Sequence, residues 1–291
     1  MENAFVFDLD PVLLALGPFQ IRYYGVIFAT MLYLGFLMWR QQMLRGGHSE
    51  DVANQFFIWG VLAVLIGSRL GHCFFYEPAR YLRHPLEIIK FWKGGLSSHG
   101  ATIAVVITLI WFARKHRLHP LEVLDRFAMS AAIGAAAVRL GNFFNSEIVG
   151  RETTVAWAVR FMRFDDGKVA RHPSQLYEFA MGLLILLILY LVDRWAGKER
   201  RPLGLLVSLF FLLYFSGRFF VEFFKEYQGL DPARSPLTEG QYLSILPILI
   251  GLGLLAWTIR HALQGASSAA QPAVPAAPAA GGRRNRQRDR K

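Results

Sequence analysis

The chain alternates between long apolar stretches and short polar spacers. Seven stretches come close to the roughly 20 residues that an α-helix needs to cross ~30 Å of hydrocarbon. They run from Ile21 to Trp39, Gln55 to Phe75, Leu96 to just before Arg114, Leu124 to Phe144, Pro173 to Val192, Leu203 to Phe224 and Gln241 to Ile259. Hydrocarbon supplies no hydrogen bonds to a backbone, so each stretch must satisfy its own as a helix. The fold class expected is an all-α polytopic membrane protein with seven transmembrane helices.

The spacers set its orientation. Alternate spacers carry Arg40 and Arg45, then Arg114, Lys115 and Arg117, then Arg194, Lys198, Arg200 and Arg201. The last stretch empties into Arg260 and the basic run at the C-terminus. The other spacers mix bases with acids (Glu77, Glu87, Asp165, Asp166, Asp231 and Glu239), and no Lys or Arg precedes Arg22. Cytoplasmic loops carry the excess of Lys and Arg, which puts the N-terminus outside and the C-terminus inside. Residues 1–262 are expected to form one membrane domain with two outer insertions. Residues 77–94, with Trp92, suit an amphipathic interfacial arm. Residues 145–172 suit a short hairpin or a small cap (head), since apolar and polar residues alternate from Ala156 to Phe164. Phe224 to Gly240, with Pro232 and Pro236, is expected to be a loop. Residues 263–291, rich in Ala, Pro, Ser and then Arg, are expected to be a disordered basic tail.

Composition agrees. Of 291 residues, 54% are hydrophobic and only 18% charged, against about 25% charged in soluble domains. The net charge of +11 could suggest a nucleic-acid partner, but much of it lies in the tail and short spacers, as membrane topology requires, and no nucleic acid is expected. The single cysteine, Cys73, excludes a disulfide framework and any multi-cysteine metal site. No His, Asp and Glu cluster has ligand spacing, so neither metal nor other cofactor is expected. The first 17 residues hold Glu2, Asp8 and Asp10 without a basic segment, unlike a cleavable signal peptide.

Charged side chains are costly inside a bilayer, so those within the stretches mark a site. Followed in their assigned directions, the helices bring Tyr24, Arg69, His99, Arg139, Asn142, Gln175, Tyr177, Glu178, Tyr214, Arg218 and Glu222 to one depth in the outer half. The inner halves are mostly apolar, Asp125 and Arg126 excepted. Tyr214, Arg218 and Glu222 lie four apart and share a face, as do Arg139 and Asn142 three apart. Arg218 either pairs with Glu222 or is available to a ligand. Arg139 has no acid at helical spacing in its own stretch, so its counter-charge must come from elsewhere. His99 is either a structural hydrogen bonder or a proton acceptor. Guanidinium forks match phosphate oxygens, and a phospholipid headgroup is the anion natural to this depth.

The stretch from Arg139 to Gly150, R-L-G-N-F-F-N-S-E-I-V-G, resembles the signature G-R-x-G-N-F-x-N-x-E-x-x-G of the prolipoprotein diacylglyceryl transferase family, with Val138 in place of the first glycine. Tyr24-Gly25, G-G-L-S-S-H-G from Gly94 to Gly100, R-H-P-S-Q-L-Y-E from Arg171 to Glu178, and the run through Tyr214, Arg218, Glu222, Phe223 and Phe224 match in order. The resemblance extends from about Asp8 to Arg260. It implies a multi-pass enzyme of the bacterial inner membrane, with its active site toward the periplasm. Such an enzyme moves diacylglyceryl from phosphatidylglycerol to the lipobox cysteine of a prolipoprotein signal peptide, forming a thioether and releasing glycerol phosphate. Its partners are thus phosphatidylglycerol, that peptide and membrane lipid. The resemblance places phosphatidylglycerol binding on Arg139, essential roles on His99, Asn142, Gly150 and Arg218, and further roles on Tyr24, Glu147, Tyr214 and Glu222.

The chain departs from the pattern at Ala101, at Ser146 within Asn145-Ser146-Glu147 where Asn-Gly-Glu is usual, and at Lys225 where arginine is frequent. Lysine keeps the charge but lacks the fork, so a phosphate contact at 225 would be weaker. In the mechanism these residues suggest, His99 is the candidate base for the thiol, while Arg139 and Arg218 hold the phosphate as it departs. An anion or lipid transporter is the alternative. It would place polar residues through the full depth or in paired broken helices.

Overall fold

Local signals set where most of the helices begin. Ser49 accepts a hydrogen bond from the Val52 amide at 3.4 Å, with Glu50 and Asp51 in the first turn, and so starts α2 (Glu50–Phe75). Ser97 does the same for α4 (Ser98–Lys115) through the Gly100 amide. Pro120 opens α5 (Pro120–Phe144), its ring already set to a helical φ. The computed structural model describes residues 4–17, 19–90, 94–227, 230 and 233–269, with side chains of the final helix to 264. The remaining long helices are α1 (Tyr23–Arg45), α7 (Ser174–Trp195), α8 (Leu205–Val221) and α9 (Glu239–Ala269). Short helices α3 (Pro78–Arg83) and α6 (Met162–Asp165) lie in the two insertions.

A long helix therefore stands on each of the expected apolar stretches. Among the described residues, five are long and apolar enough to cross a membrane: α2, α5, α7, α8 extended to Phe224, and α9 from Glu239 to Gln264. The chain is a polytopic membrane protein. α1 and α4 fall outside that set because Tyr23, Tyr24, Tyr33 and Trp39 dilute the aliphatic content of α1, and Ser98, His99, Arg114 and Lys115 occupy the ends of the 18-residue α4. α1 also starts two residues later than expected. Phe19–Arg22 forms strand β3, paired antiparallel with β2 (Val12–Leu16).

α5 runs through the middle, packed by α1, α4, α7 and α8, while α2 pairs with α4 and α8 with α9. Small residues permit the close crossings. A Cβ added at Gly182 of α7 would stand 2.8 Å from that of Ala136 in α5, and one at Gly71 of α2 would stand 2.6 Å from the Gly100 Cα of α4. Trp39, Met43, Phe56 and Phe112 fill the core between α1, α2, α4 and α5.

One end of the bundle is closed by ion pairs. Asp193, fully buried, meets Arg45 at 2.8 Å and Arg201 at 2.7 Å. Arg126 meets Glu122 at 3.0 Å and Glu199 at 2.9 Å, and donates to the Gln42 carbonyl at 2.6 Å. The basic spacers and the exceptional Arg126 meet here, and their charges are matched by Glu122, Asp193 and Glu199. Asp125 has a different task. Its two carboxylate oxygens accept the Gly204 and Val207 amides at 2.7 and 2.8 Å, capping α8 from a neighbouring helix. Asp125→Ala orphans both amides, and loss of a cap costs up to about 2 kcal/mol. Thermal unfolding in detergent should show that loss, while the function of the protein that remains folded stays unchanged, because the polar cluster described below lies at the other end.

Two expectations are corrected. The final helix does not stop at Ile259. α9 continues through Arg260-His261-Ala262-Leu263-Gln264 to Ala269, with no proline to end it. Residues 270–291, the rest of the expected tail, lie outside those described. The segment Ala156 to Phe164 is not a hairpin either. Val159–Phe161 (β4) pairs in parallel with β1 (Phe5–Phe7), Phe5 opposite Val159 and Phe7 opposite Phe161. The alternation is real, but its apolar face has Phe7, Phe143 and Val149 to pack on, so the strand pairs with β1 along its length, while Val159 alone is also bridged antiparallel to Arg171. Residues 150–151 and 225–226 extend this head, with Gly150 bridged to Lys225 and Arg171 held between Asp165 at 2.8 Å and Glu226 at 2.7 Å.

Arg69 is a third correction. It does not converge with the other polar residues. Its guanidinium donates to the carbonyls of Glu87, Ile88, Gly94 and Gly95 and lies over the Tyr81 ring, pinning the arm to α2. Gly94 and Gly95 hold φ of +83° and +75°, open to glycine and strained for other residues. Trp92, expected in that arm, lies outside the described residues.

Candidate functional site

The end of the bundle opposite the closed network carries the remaining candidates. Arg139, near the end of α5, is 9% exposed, and its Nε lies 2.9 Å from Oε2 of Glu178 in the first turns of α7. Its counter-charge thus comes from another helix, as its surroundings in sequence require. Arg139 Nη1 also reaches the Asn142 amide oxygen at 3.4 Å, and Asn142 donates to Glu147 at 3.3 Å. Asn145 donates to the other oxygen of Glu147 at 3.1 Å. The Tyr24 phenol lies within the fields of Glu147 and Arg139, and its ring packs on Gly141. Tyr214 is next to Arg139 as well.

The turn that follows α5 is tied down from α7. Ser174 donates to the Ile148 carbonyl at 3.1 Å and Gln175 to the Glu147 carbonyl at 2.7 Å. Ser146 and Ile148 both adopt positive φ, 55° and 57°, a conformation that strains a side chain with a Cβ. The family pattern has glycine where this chain has Ser146, and φ gives the reason. Ser146→Gly should relieve about 1 kcal/mol, since left-handed backbone costs a non-glycine ~1–2 kcal/mol and glycine returns ~0.5–1 in chain entropy. The buried Ser146 hydroxyl, without a hydrogen-bond partner among the described residues, adds nothing to keep it. A rise in Tm of roughly 2 °C would register the change. Gly150 is placed for packing: a Cβ there would overlap the His172 carbonyl, and its amide donates to that carbonyl at 3.0 Å.

Glu178 is central, and sequence reasoning did not single it out among the site residues. It is 1% exposed and shared, with Arg139 on one oxygen and Lys225 Nζ at 3.1 Å from the other. Lys225, 3% exposed, also meets Glu222 at 2.8 Å. Glu222 therefore does not pair with Arg218; it pairs with the lysine three residues on. That i,i+3 spacing of Glu222 and Lys225 was the signal available in the sequence, and it was read instead as a possible phosphate contact. The result is a run of alternating charge, Arg139, Glu178, Lys225 and Glu222, closed within the protein.

Arg218 stands outside that run. Among the described residues its side chain makes no ion pair or hydrogen bond, yet its field acts on Glu178 and on His99. His99 is exposed at the start of α4, its Nδ1 3.4 Å from the Tyr76 hydroxyl, with Arg218, Glu239 and Arg139 as the charges acting on it. Both arginines and the imidazole thus share one region.

A multi-pass helical bundle that gathers two guanidinium groups and an imidazole at one end is an integral membrane protein with a polar cluster built into one half of the bundle. A family model for prolipoprotein diacylglyceryl transferase matches residues 11–257, and the chain belongs to that family. A relative from Chloroherpeton thalassium, a phosphatidylglycerol–prolipoprotein diacylglyceryl transferase, is 41% identical over 89% of this chain and 97% of its own. Relatives bearing the same description from Cupriavidus metallidurans and Nitrosomonas europaea are 40% and 39% identical, covering 91% and 87% of this chain and 98% and 91% of theirs.

Proposed function

We propose that the chain transfers diacylglyceryl from phosphatidylglycerol to the lipobox cysteine of a prolipoprotein through the cluster around Arg139, Arg218 and His99. All seven long helices span the bacterial inner membrane, with the N-terminus and head outside and α9 ending inside, as the basic spacers favour. The site then faces the periplasmic leaflet, where both substrates present their reacting groups.

The cysteine thiol attacks the glycerol carbon that bears the phosphate ester. A carbon–sulfur bond forms, the carbon–oxygen bond breaks, and the electron pair leaves with glycerol phosphate. An ordinary thiol, with a pKa near ~8.5, is only a few per cent ionised at neutral pH, so a base that takes the proton adds rate. His99 takes that role in this reading through Nε2, its Nδ1 being turned toward Tyr76. Arg218 holds the phosphate oxygens as charge grows on them, and Arg139 supplies a second positive field fixed by Glu178. Tyr24, Asn142, Glu147 and Tyr214 line the space around Arg139 and shape it for the headgroup; Gly150 keeps the head close to it. The reaction as written calls for no cofactor.

The observation that carries this reading is Arg218, a guanidinium within a membrane helix, outside the internal ion pairs among the described residues and with its field acting on an exposed histidine. The purified protein incubated with phosphatidylglycerol and a lipobox peptide should give a peptide heavier by one diacylglyceryl group, seen by mass spectrometry. A peptide with serine in place of the cysteine should gain nothing. His99→Gln should cut transfer by about 10²–10⁴-fold, the range for loss of a general base, while lipid still binds. Turnover retained in that variant would remove the base from His99.

A further inference from the structure

We propose that Thr238 and Gly240, at the start of α9, are positioning residues for the transfer, acting on Arg139 through Glu222, Lys225 and Glu178. The inference rests on the reading of the activity given above. Glu222 is buried at the end of α8, and three things locate its carboxylate. Lys225 Nζ approaches Oε1 at 2.8 Å. Thr238 Oγ1 lies 3.1 Å from Oε2. The third is Gly240, where a Cβ would overlap the carboxylate itself.

The direction of the threonine proton follows from its other contact. Thr238 and Gln241 cap α9 reciprocally: the Thr238 amide donates to the Gln241 side chain at 2.9 Å, and the Gln241 amide donates to Thr238 Oγ1 at 3.2 Å. The hydroxyl oxygen is occupied as an acceptor, so its own hydrogen is free to go to Glu222. The carboxylate also lies against the first turn of α9, where helix amides favour negative charge. Held there, Glu222 keeps Lys225 midway between two acids. Released, it would let the ammonium swing toward Glu178, which would then hold Arg139 less firmly. A small displacement at α9 therefore reaches Arg139, and the positive field it supplies, by way of buried, contiguous charge pairs.

Thr238→Val keeps the shape and removes the hydroxyl, while Gly240→Ala leaves the cap alone and pushes the carboxylate aside. Both should lower kcat on the order of tenfold, the scale of one hydrogen bond to a charged group, with KM for phosphatidylglycerol changed less than kcat. Thr238→Ser should restore most of the turnover. A role confined to starting α9 predicts the opposite for Gly240→Ala, because alanine is the better helix former and turnover would hold. Wild-type kcat in both Thr238→Val and Gly240→Ala overturns the inference, and if one variant fails to fold the other decides. An unaltered protein that gives no adduct overturns the reading of the activity, and this inference with it; an active wild type with indifferent variants overturns this inference alone.

Discussion

Arg218→Gln should abolish most transfer and leave the fold almost untouched. Removing one group that stabilises developing charge in a water-poor site lowers kcat by about 10²–10³-fold. Stability should barely move, because Arg218 has no ion-pair partner among the described residues for the substitution to strand. The combination separates Arg218 from Arg139, whose loss would strand Glu178 on one side. Transfer followed by mass spectrometry, together with Tm in the same detergent, measures both quantities. A large fall in Tm for Arg218→Gln would show that the residue has an internal structural task, and its assignment to the lipid phosphate would go with it.

Glu178→Ala should have the larger effect on folding. It leaves Arg139 and Lys225 buried around a missing acid, and breaking a buried ionic contact by removing one partner costs about 3–5 kcal/mol. At ~2 °C per kcal/mol for a chain of this size, Tm should fall by roughly 6–10 °C. Glu178→Gln, which keeps the volume, should be milder but should still lose activity as Arg139 loses its anchor. Lys225→Met added to Glu178→Gln should destabilise less than the two changes summed, since the second removes a charge that the first has stranded. Strict additivity would mean that the pair is not coupled and that the alternating run has no energetic content.

Much of this arrangement was legible in the chain. The apolar stretches gave the long helices because a membrane leaves the backbone no other partner. Arg139 advertised a missing acid, since none stands at helical spacing, but only the packing of α5 on α7 names Glu178. Arg69 shows the limit of depth as a guide: it lies near the right level in α2, yet its fork is filled by the carbonyls of the arm. Lys225 lies beyond the end of α8, where helical periodicity says nothing about direction, and its second partner comes from α7. Ser146 was visible as a departure from the family pattern, and backbone φ supplies the meaning. The strand at Val159–Phe161 was recognised by its alternation, but a period of two gives no hint of a partner so distant in sequence.

That partnership constrains how the molecule is made. The residues from Phe5 to Phe7 emerge from the ribosome early, yet what they pair with follows α5. Until then the N-terminal strand has no companion, and four long helices, α1, α2, α4 and α5, must be made before it can find one. Closure of so large a loop is slow. The head is thus a late product of biogenesis, completed only when most of the bundle stands.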